Sequence, residues 1–161
     1  MFSSFERLVK HPIKFRLFLL SKLPAAYFSG VRIKTLREDR CEVTVPYSWF
    51  TTNPFRSTYF ACLSMAAEMS TGALAMAHSY QLKPSVSMLI ISNEGKYQKK
   101  ATGKTTFLCE DGLLIKEAIS KASTGNDASE ITVTSTGRNT SGEVVAIFTF
   151  TWSFKIKSSK V

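Results

Sequence analysis

Cysteine and histidine are scarce in this chain of 161 residues. The three cysteines stand far apart, at 41, 62 and 109. An odd, widely spaced count argues against a disulfide framework and a zinc knuckle, so no metal is expected and a reducing, cytoplasmic setting is. There are two histidines. His11 has no evident partner, and His78 sits near the end of a helical stretch, where it suits the helix dipole or the surface. No histidine stands beside Cys62, which therefore reads as a small buried side chain rather than a nucleophile. The Met1 end lacks a long apolar run followed by a small-residue cleavage site, so no secretory signal is expected. The chain also lacks internal repeats and low-complexity linkers. Its longest apolar stretch, residues 57–79, lacks proline and carries one formal charge, Glu68.

That stretch reads as one long helix over 57–79, because Ala, Leu, Met and Glu dominate it. It is apolar nearly all round, the pattern of a buried helix. Small residues recur along it at Ala61, Ser64, Ala67, Ser70, Gly72 and Ala75. A lone acid in such a helix is costly unless it is paired or functional. A transmembrane reading of 58–80 meets a cost of ~3 kcal/mol for the mid-helix acid, and strand-like sequence follows it.

The length suits one domain with a real core. Twelve Phe and five Tyr favour sheet and broad apolar surfaces. The net charge of +9 is concentrated at the ends: residues 1–40 hold nine basic and three acidic side chains, and 155–161 add three lysines. Such a surface attracts anions in general, including nucleic acid, lipid headgroups and coenzyme A phosphates. A nucleic-acid role is not expected, since no recognition helix is visible.

Residues 3–22 suggest one or two helices, with Ser3 or Ser4 as cap and Pro12 in a first turn. Phe15, Phe18, Leu19 and Leu23 form an apolar stripe, which Lys22 interrupts and outside which Leu17 and Leu20 fall. Packing on the chain's own domain or on a partner is expected, although basic and apolar residues together also suit a membrane surface. Strands are expected at 30–36 and 40–46, across a turn at Glu38-Asp39. Further strands are expected at 86–93 and 97–109, separated by an Asn93-Glu94-Gly95-Lys96 hairpin turn. Asp111 should cap a helix over 112–123 that turns Leu114, Ile115, Ala118 and Ile119 inward, and Gly125-Asn126-Asp127 breaks it. The last strands fall at 129–138 and 143–157, the latter apolar on both faces and so central. The lysines at 99, 100 and 104 fall on the fourth strand. An aromatic-rich loop, 47–56, precedes the long helix.

The expected architecture is α+β: a curved, mostly antiparallel six-stranded sheet wrapped around one long helix. An N-terminal helical extension, 1–28, precedes a single domain, 29–161. This element order resembles the hotdog fold. The junction at the start of the long helix resembles the thioesterase branch related to phenylacetyl-CoA thioesterases and its thioesterase-like relatives. In that branch an Asn is followed six positions later by His-Gly-Gly, and an acid comes nine positions after the His. Here Asn53 holds the Asn place, Tyr59-Phe60-Ala61 hold the His-Gly-Gly place, and Glu68 holds the acid place.

The resemblance implies a homodimer with the two sheets side by side, or a dimer of such dimers. Active sites would lie where each long helix meets the other subunit, with the acyl chain along the helix. Coenzyme A would enter as part of the substrate, and no other cofactor is expected. Glu68 would serve as base on water or as nucleophile. Asn53 would orient the water or the carbonyl, and Tyr59 would donate where the branch uses His. Backbone N–H groups near Phe60 and Ala61 would polarise the thioester carbonyl. Ser64 and Thr71, one turn either side of Glu68, are candidate water or substrate contacts. The competing expectations are a structural Glu68 hydrogen-bonded to Ser64, to Thr71 or across the dimer, an Asn53 that merely forms a turn, and a non-catalytic protein that binds an acyl ligand.

Overall fold

Residues 2–125 and 127–157 are described in the computed structural model of the chain, with side chains from Ser4 onward. Three short helices open it: α1 (Phe2–Lys10), α2 (Pro12–Lys22) and α3 (Pro24–Phe28). Two strands follow, β1 (Arg32–Leu36) and β2 (Cys41–Val45), then the long helix α4 (Phe60–Ser79). The second half is β3 (Val86–Tyr97), β4 (Thr105–Cys109), α5 (Gly112–Thr124), β5 (Ser129–Arg138) and β6 (Val144–Ile156). The six strands form one sheet in the order β1-β2-β4-β5-β6-β3, with every neighbouring pair antiparallel.

Alternation along the strands turns one face of the sheet onto α4. Val43 and Val45 of β2, Phe107 of β4, Val133 of β5 and Phe148, Phe150, Trp152 and Phe154 of β6 are buried. Against them α4 buries Leu63, Ala66, Ala67, Leu74 and Ala77. Where polar groups enter this contact they are paired: Ser70 Oγ lies 2.7 Å from Ser135 Oγ. The layout is the hotdog fold, a sheet curled around a central helix. α4 is long and apolar enough to cross a membrane, yet most of its surface is enclosed in this core. Phe5, Phe15 and Leu19 of α1 and α2 join the same core.

Several local expectations give way to tertiary pairing. The long helix starts at Phe60, not at 57, because Thr58 is drawn into extended backbone: its N–H donates to Ala101 O and it bridges to Thr52. The Asn93–Lys96 hairpin does not form. β3 runs straight through it, with Asn93 opposite Phe150 and Lys96 opposite Ile147. Gly95 is there because a Cβ would lie 2.6 Å from the Phe148 ring. Consequently Lys99, Lys100 and Lys104 sit in the connection between β3 and β4, not on a strand. Ser4 lies inside α1 rather than capping it, and Ser3 falls outside the described side chains. Asp111 occupies the N-cap position of α5, but its carboxylate accepts from Thr134 N of β5 instead. Leu114 faces solvent, while Ile115, Ala118 and Ile119 point inward. Asn126 of the expected break lies outside the described residues.

The start of α5 is pinned against the β1–β2 turn. Gly112 N donates to Asp39 O at 3.0 Å. A Cβ at Gly112 would collide with Glu38 O and stand 2.7 Å from Asp39 O, both backbone atoms that cannot swing aside. Gly112→Ala is therefore expected to destabilise the fold by about 1–3 kcal/mol, the range of overpacking. Chemical denaturation measures it, and an unchanged midpoint would refute the clash.

Candidate active site

Glu68 lies midway along α4, on its half-buried face between Ser64 and Gly72. It opens into an apolar cavity of about 150 Å³. The walls come from four directions: Phe5 of α1, Phe15, Phe18 and Leu19 of α2, Ile33 of β1 and Met88 of β3, with Met69, Ala73 and Met76 of α4 itself. Among the described residues Glu68 is the only ionisable group lining it. Among the described residues no hydrogen bond or ion pair reaches its carboxyl. Burial alone raises its pKa from the ordinary 4.5 to about 7.

Gly72 makes room for that carboxyl. A Cβ there would lie 2.6 Å from Glu68 Oε1. A glycine inside a helix otherwise costs roughly 1 kcal/mol relative to alanine. Gly72→Ala should thus leave stability equal or higher, while pushing the carboxyl off its position. If the carboxyl is used in catalysis, turnover should drop on the order of tenfold or more, since small misplacements of reacting groups are expensive. Parallel melting curves and rate assays separate the two effects.

Thr71 and Ser64 do not join Glu68 side chain to side chain. Thr71 is fully buried, donates to Glu68 O at 2.9 Å and accepts from Trp152 Nε1 at 3.1 Å. It faces the sheet rather than the cavity. Ser64 is half-buried one turn above Glu68.

The other predicted residues gather at the start of α4, on a separate surface groove lined by Asn53, Phe55, Tyr59, Phe60, Gln98 and Lys100 among others. Asn53 organises the loop. Its Oδ1 accepts from Phe55 N at 3.0 Å and from Ser57 N at 3.2 Å. Tyr59 is the N-cap of α4, exposed, with no side-chain cap bond. The Tyr59 carbonyl accepts from Cys62 N and Leu63 N. The N–H groups of Phe60 and Ala61 meet no acceptor among the described residues, so the positive end of the helix is open to the groove. Phe60 is exposed, its ring 4.9 Å from that of Tyr59. Along the axis, Glu68 lies about 12 Å from this helix start at ~1.5 Å per residue. One chain therefore presents the two halves of the predicted constellation on different openings.

His78 is buried rather than on the surface. Its Nε2 lies 3.0 Å from Glu38 O, and burial holds its pKa below the usual imidazole value. Cys62 is buried, its Sγ 3.9 Å from Ser29 Oγ. His11 caps α2, accepting from Lys14 N. No cluster of three or more His, Cys, Asp or Glu among the described residues could hold a metal. Sequence reasoning missed that α1 and α2 roof the Glu68 cavity and that Gly72 underlies the carboxyl. The isolated glycine four residues after the acid was the one available signal.

A family model described as a domain of unknown function, DUF4442, matches residues 15–154. No curated protein matches the chain in sequence. Solved structures share the fold at low identity. A Pseudomonas aeruginosa protein described as of unknown function and "Probable Thioesterase" is 19% identical, with a TM-score of 0.76 over 88% of this chain and 93% of that one. A Chlorobaculum tepidum protein of unknown function is 15% identical, with a TM-score of 0.77 over 94% and 96%. A Haemophilus influenzae thioesterase is 15% identical, with a TM-score of 0.62 over 90% and 92%.

Proposed function

This chain belongs to the family described as domain of unknown function DUF4442, and we propose that it is a thioesterase that hydrolyses acyl thioesters, with coenzyme A or an acyl carrier as the thiol part. One observation carries the reading: an unpartnered carboxyl, Glu68, is held near neutral pKa in an apolar cavity that a helix glycine leaves open. Two proteins of like fold support it: one from Haemophilus influenzae is described as a thioesterase and one from Pseudomonas aeruginosa as a probable thioesterase.

Glu68 takes a proton from water as the water oxygen adds to the thioester carbonyl carbon. The carbonyl oxygen gains negative charge, which the unpaired Phe60 and Ala61 N–H groups suit. The C–S bond then breaks, and the thiolate takes the proton back from Glu68. A carboxylic acid and a thiol leave. Because the two halves lie about 12 Å apart along one helix, the site is completed between two copies, with Glu68 of one facing the helix start of the other. β3 supplies the seam. It is a long edge strand, paired only with β6, and Leu89 and Ile91 on it are exposed. The opposite edge, β1, is short, five residues, and carries Lys34 in its middle, features that discourage pairing.

A second reading, acyl binding without turnover, draws on the helix start. Phe60 and Ala61 bring side chains where the resembling branch has glycine, and the Asn53 amide oxygen is already engaged. Thiol release from short, long and aryl acyl-CoAs decides between them. The cavity volume is that of a pocket that takes a benzene ring, so short or aryl acyl groups are expected to turn over fastest. No release from any ester, with acyl-CoA still raising the melting temperature, would transfer the assignment to the binding reading.

A further inference from the structure

α2 is apolar on two opposite faces. Phe15 and Leu19 point inward and are buried. Ile13, Leu17 and Leu20 point outward and are 66%, 59% and 41% exposed. Their spacing is that of a single helical stripe. A scattered exposed leucine means little, but a stripe on one helix needs an explanation. The same helix carries Lys14, Arg16 and Lys22, all exposed and, among the described residues, in no ion pair, and it contains no acid. The nearest acid in sequence, Glu6 of α1, is engaged by Lys10 at 2.7 Å.

We propose that the outward face of α2 docks on an anionic lipid bilayer, with Ile13, Leu17 and Leu20 entering the acyl boundary and Lys14 and Arg16, on either side of them, meeting the headgroups. Apolar side chains flanked by uncompensated cations are the composition of an interfacial helix. A second copy of this chain is a poor occupant, because a two-fold contact would bring the same two cations against themselves. Leu23, at the end of α2, is exposed and also lines the Glu68 cavity. Docking would thus bring the cavity's rim to the membrane surface. The inference stands whether or not Glu68 is catalytic.

The test is co-sedimentation of the full chain with vesicles of phosphatidylcholine alone or with about a third phosphatidylserine, at low and high salt. Binding is expected only to the anionic vesicles and should weaken steeply with salt. Ile13→Ser with Leu17→Ser, and separately Lys14→Glu with Arg16→Glu, should each reduce it at least tenfold. All four side chains are exposed, so melting temperatures should hold. A Leu17→Trp variant gives a gain of signal: the introduced indole should shift to the blue and be quenched by brominated lipid. No binding to anionic vesicles, equal binding by the variants, or binding without quenching of the introduced indole would each overturn the proposal. Equal affinity for soluble polyglutamate, without a blue shift, would assign the face to an acidic protein instead.

Discussion

Glu68→Gln is expected to lower thioester turnover at least a hundredfold and, above neutral pH, to raise stability. The loss follows from removing the base, since a positioned acid–base group contributes roughly 10²–10⁴ in rate. The gain follows from linkage. The Glu68 carboxyl has a pKa of about 7 in the folded chain, against an ordinary 4.5. The folded state therefore binds this proton more tightly than the unfolded state. Below pH 4.5 both states hold it, and Glu68 carries no ionisation cost. Between pH 4.5 and about 7 the unfolded chain gives up this proton while the folded chain keeps it, so stability falls by up to roughly 3 kcal/mol and levels off once the folded carboxyl ionises too. Gln escapes that cost. The melting temperatures of the two proteins should diverge between pH 5 and 8, by several degrees at the upper end. Turnover of the parent should rise through pH 7 and level off. A variant that loses turnover and also loses stability at every pH would point to a structural carboxyl. Full turnover by the variant would remove Glu68 from the mechanism.

Leu89→Lys combined with Ile91→Lys is expected to yield a folded monomer without thioesterase activity. Both residues lie on the free edge strand β3 and are 64% and 47% exposed. Exposed substitutions seldom change stability by more than about 0.5 kcal/mol, so the single chain should survive. In a side-by-side dimer each new cation would face its own copy across the seam, which opposes pairing. Light scattering should report twice the chain mass for the parent and one chain mass for the variant. Turnover should fall with the dimer by two orders of magnitude or more, because the Glu68 carboxyl would lose the helix start of the other copy. A variant that stays dimeric would place the seam elsewhere. A monomer with full activity would mean that one chain holds the whole site.

Much of the architecture was legible because its signals are long. A Pro-free run of Ala, Leu and Met with a single acid could be little else than a core helix, and the six strands with their intervening helix follow from period and punctuation. Errors arose where a short signal met a long pairing. Asn93-Glu94-Gly95-Lys96 is good turn chemistry, yet β6 offers it a continuous ladder, and Gly95 serves ring packing rather than a turn. Ser57 and Thr58 suit a helix start, but Ala101 and Thr52 capture the backbone at Thr58 first. In the site, Glu68 stood out as the one charge in an apolar run. The roof over it did not, since Phe15, Phe18 and Leu19 of α2 line the same cavity from some fifty residues away and leave no local trace. The irregular stripe of α2 was a true observation: the helix has two apolar faces, and one period cannot describe both.

The strand order β1-β2-β4-β5-β6-β3 also sets a timetable for synthesis. β3 pairs with no strand made before it. Its sole partner is β6, with Tyr97 opposite Ala146 and Val86 opposite Ile156. At roughly 5–20 residues per second, a ribosome needs several seconds to deliver that partner. Throughout that interval the nascent chain carries twelve residues of unpaired strand, including Leu89 and Ile91, with both edges free. Nascent chains arrested anywhere before residue 144 should therefore be the form most prone to aggregate and the one that chaperones hold, and the hydrophobic collapse that makes the chain compact can finish only when the last strand arrives.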